Sequence, residues 1–200
     1  MKNYLGLDFD NTIVQYDRLF HQVATERSLI PVTIEENKLA IREYLRITGR
    51  EEEFTLIQAE VYGKRIIEAK ASVGVLEALK KLEERGVKMT IVSHKTKFPY
   101  AGPQYNLREA AINWLEENKF FSESGLNWKK NQVYFEDSKK AKIRRIEELR
   151  VSYYIDDLPE ILLLLPSSIK KILYAPKGSR ENQSQFIQMK HWDELCNHIK

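Results

Sequence analysis

The residues with the clearest chemical potential are four aspartates and a serine, each of which ends or directly follows a short apolar run of the sequence. They are Asp8, Asp10, Ser93, Asp156 and Asp157. Carboxylates that gather at one place repel each other unless a cation lies among them, and carboxylate oxygens are ligands that suit Mg²⁺. The residue types therefore predict a magnesium site, provided that the fold brings these positions together.

The elements that must position these residues alternate between strands and helices. Apolar runs predict buried strands at residues 4–9, 87–92, 151–155 and 169–175. Residues 76–86 (LEALKKLEERG) and 142–150 (KIRRIEELR) carry apolar residues at helical spacing before the second and third strands. Strands separated by helices favour an α/β fold, a doubly wound parallel sheet that binds ligands at the carboxyl ends of its strands. All of the polar residues above are then expected at that one edge.

The segment from residue 17 to residue 72 has a different pattern. It contains no convincing strand, whereas residues 35–47 and 51–69 carry apolar residues at three- and four-residue spacing. We therefore predict a small helical cap inserted after the first strand, over residues 17–72, and a core domain made of residues 1–16 and 73–200. Residues 97–106, with two prolines and one glycine, predict a loop beside the second strand.

Composition limits the classes of function. A net charge of +3 over 200 residues is too small to indicate nucleic-acid binding by bulk electrostatics. The single cysteine excludes an intramolecular disulfide and a cysteine metal cluster, and it favours a reducing, cytoplasmic location. The longest aliphatic run, residues 161–165, is far shorter than the ~20 residues that span a bilayer. We expect a small charged ligand as the partner, with neither nucleic acid nor a membrane.

Four short motifs carry a family resemblance. Residues 8–12 (DFDNT) resemble the first motif of the haloacid dehalogenase-like (HAD) hydrolase superfamily, DxDxT after an apolar strand. Ser93 resembles the second motif, Lys142 the third, and the pair Asp156 and Asp157 the acidic fourth. The order and spacing agree over about 150 residues. The insertion also lies where this superfamily places its first type of cap, so the resemblance implies a Rossmann-like core with a helical lid.

The resemblance implies a magnesium-dependent phosphatase that hydrolyses a small phosphorylated metabolite through an aspartyl-phosphate. Asp8 is then the nucleophile and Asp10 the general acid and base, whereas Ser93 and Lys142 stabilise the transferring phosphoryl group. Asp10 favours phosphoryl chemistry, because a dehalogenase does not need this acid. The implied metal ligands are Asp8, the backbone carbonyl of Asp10, Asp156 and Asp157, the last of them through water or by orienting the lysine. The residues expected to bind substrate are Asn11, Thr12, Ser93, His94 and Lys95.

Several alternatives stay open at this level. Lys139 and Lys140 lie within one helical turn of Lys142, and a run of basic residues is also typical of a solvated helix face. The pair Asp156 and Asp157 could instead cap the following helix. A nucleotidase or a phosphomutase uses the same core as a phosphatase. The alternative of another class is a non-catalytic or regulatory HAD-like protein that binds a phospho-ligand or a protein partner.

Overall fold

The structure, a computed structural model, describes residues 3–178 and 185–199. The other residues, 1–2, 179–184 and 200, fall in the predicted core domain and lie outside the described part. The chain forms two compact units. We call the first the sheet unit (Met1–Val14, Ala71–Lys95 and Asn118–Lys200) and the second the helical unit (Gln15–Lys70 and Thr96–Glu117). The helical unit thus contains residues 96–117 in addition to the insertion after the first strand.

Eight strands are present in the described part of the chain. They are β1 (Tyr4–Leu7), β2 (Val14–Gln15), β3 (Lys70–Ala71), β4 (Lys88–His94), β5 (Val133–Glu136), β6 (Tyr153–Asp156), β7 (Lys170–Tyr174) and β8 (Ile187–Met189). Six of them form one parallel sheet in the order β5-β4-β1-β6-β7-β8, and β2 and β3 form a separate two-stranded sheet where the chain passes between the units. The parallel sheet confirms the predicted α/β fold class.

The described residues also contain eight α-helices, a π-helix at Glu60–Lys64, and three 3₁₀-helices at Ile66–Glu68, Lys130–Gln132 and Trp192–Glu194. The α-helices are α1 (Asp17–Glu26), α2 (Lys38–Ile47), α3 (Glu51–Ala59), α4 (Val75–Glu84), α5 (Leu107–Glu117), α6 (Lys139–Leu149), α7 (Pro159–Leu164) and α8 (Leu195–His198). Local signals set several boundaries: the Asn37 side chain caps α2 by accepting hydrogen bonds from two backbone N–H groups, and Gly86 follows α4 with a φ of 75°. No helix in the described ranges is both long enough and apolar enough to cross a membrane.

Sequence patterns predicted the four central strands but missed β5 and β8. They also missed the two-residue strands β2 and β3, and β3 lies in the segment predicted to contain no strand. Every residue of β5 is only half-buried, so the strand lacks the continuous apolar run of its neighbours. β8 is three residues long, which is too short for a period to be recognised. Both strands lie at the edges of the sheet. The strands that carry the candidate site residues are the buried central ones, and these have the strongest sequence signal.

The strand order places the candidate residues at one position. β1 lies between β4 and β6, and its last residue, Leu7, pairs with Ile91 on one side and Ile155 on the other. The chain passes from β1 to β4 and β5 on one side and then returns to β6 on the other side, and such a switch point opens a crevice at the carboxyl ends of the strands. Asp8, Ser93 and Asp156 follow or end these three strands within one or two residues of the paired positions. The crevice is thus lined by these polar residues.

Candidate active site

Asp8 lies at the centre of the site, directly after β1. Its backbone N–H donates to the Ile155 carbonyl oxygen (2.9 Å), so the residue is still tied to β6. The side chain is 4% exposed, and its Oδ1 accepts hydrogen bonds from Ser93 Oγ (2.8 Å) and Lys142 Nζ (2.6 Å). Within the described residues no group donates to Oδ2. The carboxylate is therefore held by one oxygen, while the other is available for chemistry.

Lys142 joins two carboxylates. Its Nζ donates to Asp8 Oδ1 and to Asp156 Oδ2, each at 2.6 Å, and the side chain is almost fully buried. Burial alone lowers the pKa of this ammonium, but the negative charges of Asp8 and Asp156 and the hydrogen bond to Asp156 outweigh burial and raise the pKa well above its usual value. The group is therefore a permanent positive charge between the two aspartates.

The position of Lys142 follows from helix α6. The helix begins at Lys139, with Ser138 Oγ accepting from the Ala141 N–H (3.1 Å). Lys142 therefore lies one turn inside the helix, although the helical pattern of residues 142–150 predicts a start at Lys142. Lys142 and Ile146, four residues apart, are the buried residues of this helix. Lys139 instead forms an exposed pair with Glu160 (3.2 Å). Burial, which the sequence does not state, distinguishes the lysine at the site from its neighbours.

Three carboxylates form an acidic cluster, which we define as Asp8, Asp156 and Asp157. Each offers an oxygen, and these oxygens all lie within 4.8 Å of one another. Burial, followed by the negative charge of Asp8, raises the pKa of Asp156 to about 7, and the same two causes raise the pKa of Asp157 well above its usual value. One lysine ammonium thus faces three acidic groups, and the cluster favours a further cation.

The donor set fits Mg²⁺. The acidic cluster supplies only hard oxygen ligands, and Asp157 accepts no hydrogen bond from any part of the chain that the structure describes. Asp156 has its two oxygens in different roles: Oδ2 accepts from Lys142, and Oδ1 accepts from the Leu158 N–H (2.9 Å) at the start of α7. Asp156, the last residue of β6, therefore contacts the lysine and the Leu158 backbone, and within the described residues no side chain caps α7, which leaves Asp157 as the less constrained carboxylate.

Asp10 lies outside the acidic cluster and is paired with Lys95. Lys95 Nζ is 3.0 Å from Asp10 Oδ1 and 5.5 Å from the centre of the Phe9 ring, and the lysine is 4% exposed. Asp8 and Asp10 are two residues apart on one chain segment, as are Ser93 and Lys95 on the neighbouring one. Side chains two residues apart in an extended segment share a face. This explains why Ser93 contacts Asp8 whereas Lys95 contacts Asp10.

The turn after Asp8 has a defined shape. The Phe9 carbonyl oxygen accepts from the N–H groups of Ile13 (3.0 Å) and Val14 (3.1 Å), and Asn11 adopts the left-handed conformation with a φ of 57°. Asparagine tolerates this conformation better than most residues. Thr12 is completely buried, and its hydroxyl has no hydrogen-bond partner in the described ranges.

Ser72, for which the sequence carries no local signal, anchors this turn. It follows β3, where the chain returns from the insertion, and its Oγ donates to the Thr12 carbonyl oxygen (2.6 Å). The Ser72 N–H donates to the Ile13 carbonyl oxygen (2.8 Å). A serine 60 residues away in sequence gives no local signal of this contact, so only the fold reveals it.

The structure therefore brings together most of the residues that the sequence singled out. Ser93, Lys142 and Asp156 are hydrogen-bonded to Asp8 or to its partner lysine, and Asp157 is in the acidic cluster. His94 does not join this network: it is half-buried at the end of β4 and forms no hydrogen bond to the acids within the described residues. A role for His94, Asn11 or Thr12 in substrate binding stays a prediction.

For the phosphoryl transfer that the resemblance to the HAD motifs implies, replacing Ser93 with alanine is expected to reduce kcat by roughly 10²–10³, because the change removes a fixed donor to the Asp8 carboxylate. The phosphate released per unit time from a phosphomonoester measures the effect. Ser152→Ala is the matched control, since Ser152 Oγ accepts from the Tyr4 N–H (3.2 Å) at the opposite end of β1. If Ser93→Ala and Ser152→Ala had equal kcat values, Ser93 would have no specific role in the reaction.

Comparison with known proteins identifies the fold. No protein-family model matches the sequence, and no curated protein shows a significant similarity to it. Solved structures do match over the full chain. A HAD-superfamily hydrolase of subfamily IA from Geobacter sulfurreducens matches with a TM-score of 0.58 and 13% identity, covering 100% of this chain and 97% of that one.

Two further structures show the same likeness. YfnB from Bacillus subtilis, a HAD-hydrolase whose structure was determined with bound magnesium, matches with a TM-score of 0.59 and 12% identity, covering 100% of this chain and 99% of that one. A phosphoserine phosphohydrolase-like protein from Francisella tularensis matches with a TM-score of 0.56 and 15% identity over the full length of both chains. The polar residues at the carboxyl edge of β1, β4 and β6 thus belong to a chain with the fold of the HAD-superfamily hydrolases.

Proposed function

We propose that this protein is a magnesium-dependent phosphomonoesterase that acts through an aspartyl-phosphate on Asp8. The observation that carries the proposal is the environment of this carboxylate: Oδ1 is held by Ser93 and Lys142, and Asp8, Asp156 and Asp157 each offer one oxygen within 4.8 Å of the others. A carboxylate that is buried, oriented and close to positive charge is suited to attack phosphorus. The HAD fold supports a hydrolase, and the likeness to a phosphoserine phosphohydrolase-like protein supports phosphate ester chemistry.

The cation belongs to the acidic cluster. Asp8, Asp156 and Asp157 would hold Mg²⁺, and the backbone carbonyl of Asp10 would add a ligand, as the family resemblance implies. When bound, the ion would screen the negative charge of the phosphate and of the attacking carboxylate. The likeness to a HAD-hydrolase with bound magnesium supports this choice of metal.

The reaction proceeds in two steps on the residues of this chain. In the first, an Asp8 oxygen bonds to phosphorus, the bond from phosphorus to the ester oxygen breaks, and this oxygen takes a proton from the Asp10 carboxyl. In the second, a water oxygen bonds to phosphorus, its proton passes to Asp10, and the bond to Asp8 breaks. Ser93 and Lys142 stabilise the charge that accumulates on the phosphoryl oxygens in both steps. Free phosphate and the original Asp8 result.

The substrate is proposed to be a small phosphorylated metabolite. In sequence, the insertion after β1 has the position of a cap in the family that the motifs resemble. A cap excludes water and large substrates, so that only small molecules reach the site. The first experiment measures phosphate release from para-nitrophenyl phosphate with Mg²⁺ and with EDTA. Activity that needs Mg²⁺ supports the proposal. Inactivity here and in a screen of phosphorylated sugars, nucleotides and organic acids would favour a protein that only binds its ligand.

Asp10→Asn is expected to have an effect that depends on the leaving group. An asparagine cannot donate the proton that an alkoxide needs, whereas a dinitrophenolate leaves without one. We expect kcat/KM for an alkyl phosphate to fall by about 10²–10⁴, the range of general acid catalysis, and kcat/KM for dinitrophenyl phosphate to fall much less. Steady-state kinetics on the two esters measures this. Equal losses on both would exclude Asp10 as the acid for the first step.

A further inference from the structure

Tyr154 makes an unusual contact across the sheet. It lies on β6, and its hydroxyl donates to the Val92 carbonyl oxygen on β4 at 2.5 Å. β1 lies between these two strands, so the tyrosine ring must pass over β1 to reach its acceptor. Tyr154 and Val92 are both completely buried. The hydrogen bond therefore connects two strands that are not neighbours.

Gly6 makes this path possible. Gly6 on β1 is paired in register with Tyr154, and a Cβ atom built on the glycine would lie 2.6 Å from Cδ2 of the tyrosine. Contacts this short do not occur between real Cβ atoms and a ring, so any side chain at position 6 would displace the ring. The strand that carries the candidate nucleophile thus has a glycine where the tyrosine crosses it.

The ring and the hydroxyl each contact part of the candidate active site. Lys142 Nζ lies 5.7 Å from the centre of the Tyr154 ring, within the range of a cation–π interaction. The hydroxyl binds the carbonyl of the peptide between Val92 and Ser93. Lys142 and Ser93 are the two side chains that donate to Asp8 Oδ1. Tyr154 therefore contacts one donor, Lys142, directly, and it contacts the other, Ser93, through the peptide that joins Ser93 to Val92.

We propose that Tyr154 is a positioning residue of the phosphoryl-transfer site. Its hydroxyl holds Ser93 in place through the Val92 carbonyl, its ring holds Lys142 in place, and the absence of a side chain at Gly6 leaves the space that the ring needs. The inference rests on the proposed function for its kinetic consequence. The tyrosine touches neither Asp8 nor the reacting atoms, so it acts through its two neighbours. Loss of the hydroxyl is expected to lower the rate of the chemical step more than the binding of substrate.

The test compares Tyr154→Phe with Tyr153→Phe. Tyr153 is a strict control: it lies on the same strand, it is also buried, its hydroxyl accepts from Lys170 Nζ (3.1 Å), and that lysine lies 5.0 Å from its ring centre. We expect Tyr154→Phe to lower kcat about tenfold or more, in line with the 10–100-fold effect of removing residues that orient catalytic ligands, and to change KM less than about twofold. Inhibition by orthovanadate, which mimics the transferring phosphoryl group, should weaken by a similar factor. Tyr153→Phe should leave both values unchanged.

A crystal structure of Tyr154→Phe provides a readout that needs no activity. We expect Ser93 Oγ to move away from Asp8 Oδ1, relative to the 2.8 Å contact of the native chain, while the thermal midpoint falls by only a few degrees because the ring is retained. A folded variant with native kcat, native vanadate inhibition and the native Ser93 contact would overturn the inference. If native protein releases no phosphate, the proposed function fails, and the crystal structure alone decides whether Tyr154 positions Ser93.

Discussion

Asp8→Asn is expected to reduce the rate of phosphate release by about four orders of magnitude or more, the scale seen when a covalent nucleophile is removed. The asparagine has nearly the same shape, so the fold should persist. Its amide oxygen is a poor nucleophile and carries no charge to pair with Lys142, which lies 2.6 Å from Asp8 Oδ1. Both the attack on phosphorus and the local charge balance are therefore lost.

The measurement is phosphate release from para-nitrophenyl phosphate with Mg²⁺ at saturating substrate. Asp193→Asn is the matched control, because it makes the same chemical change at an exposed position in the short turn before α8. We expect the control to keep native kcat. Activity of Asp8→Asn within tenfold of the native protein would show that another group attacks phosphorus.

Lys142→Met is expected to lower both activity and stability. The lysine is the only positive side chain hydrogen-bonded to Asp8 and Asp156 among the described residues, and both carboxylates are buried. Removing one partner of a buried ion pair typically costs ~3–5 kcal/mol in the free energy of unfolding, since the other charge stays buried and unpaired. The loss of an electrostatic contact to the transferring group should lower kcat by roughly 10²–10³.

Urea unfolding and steady-state kinetics measure the two losses separately. Lys139→Met is the control on the same helix: its pair with Glu160 is exposed, and exposed pairs contribute only ~0–1 kcal/mol. We expect Mg²⁺ to restore part of the stability of Lys142→Met, because it supplies positive charge to the same carboxylates. A native kcat in Lys142→Met would show that Lys142 takes no part in the reaction. Lys139 and Lys140 would then again be candidates for the catalytic lysine.

The candidate residues at strand ends were predictable because the geometry of a parallel sheet is simple. Once β1, β4 and β6 are assigned as neighbouring parallel strands, Asp8, Ser93 and Asp156 must share an edge. The choice among three lysines was not predictable in the same way. Lys142 lies four residues before the buried Ile146, but Lys139 lies four residues before the partly buried Ile143, so helical spacing favours neither lysine over the other.

Other parts of the site depend on contacts between distant segments and have no local signature. Tyr154 is one of several apolar or aromatic residues in its strand, and its sequence does not indicate that the hydroxyl reaches Val92 across β1. The same holds for Ser72 and the carbonyl of Thr12. The ion pair between Lys95 and Asp10 likewise joins two separate segments, and a role for Lys95 in substrate binding stays a prediction.

The most direct test is a crystal structure of the native protein with Mg²⁺ and beryllium fluoride, which mimics a phosphoryl group on a carboxylate. We predict beryllium fluoride bonded to an Asp8 oxygen, with Mg²⁺ at about 2.0–2.1 Å from oxygens of Asp8 and Asp156. Ser93 Oγ and Lys142 Nζ should lie within hydrogen-bond distance of its fluorine atoms. Mg²⁺ bound elsewhere, or an Asp8 carboxylate that remains unmodified while the ion is bound, would contradict the proposal that this aspartate accepts the phosphoryl group.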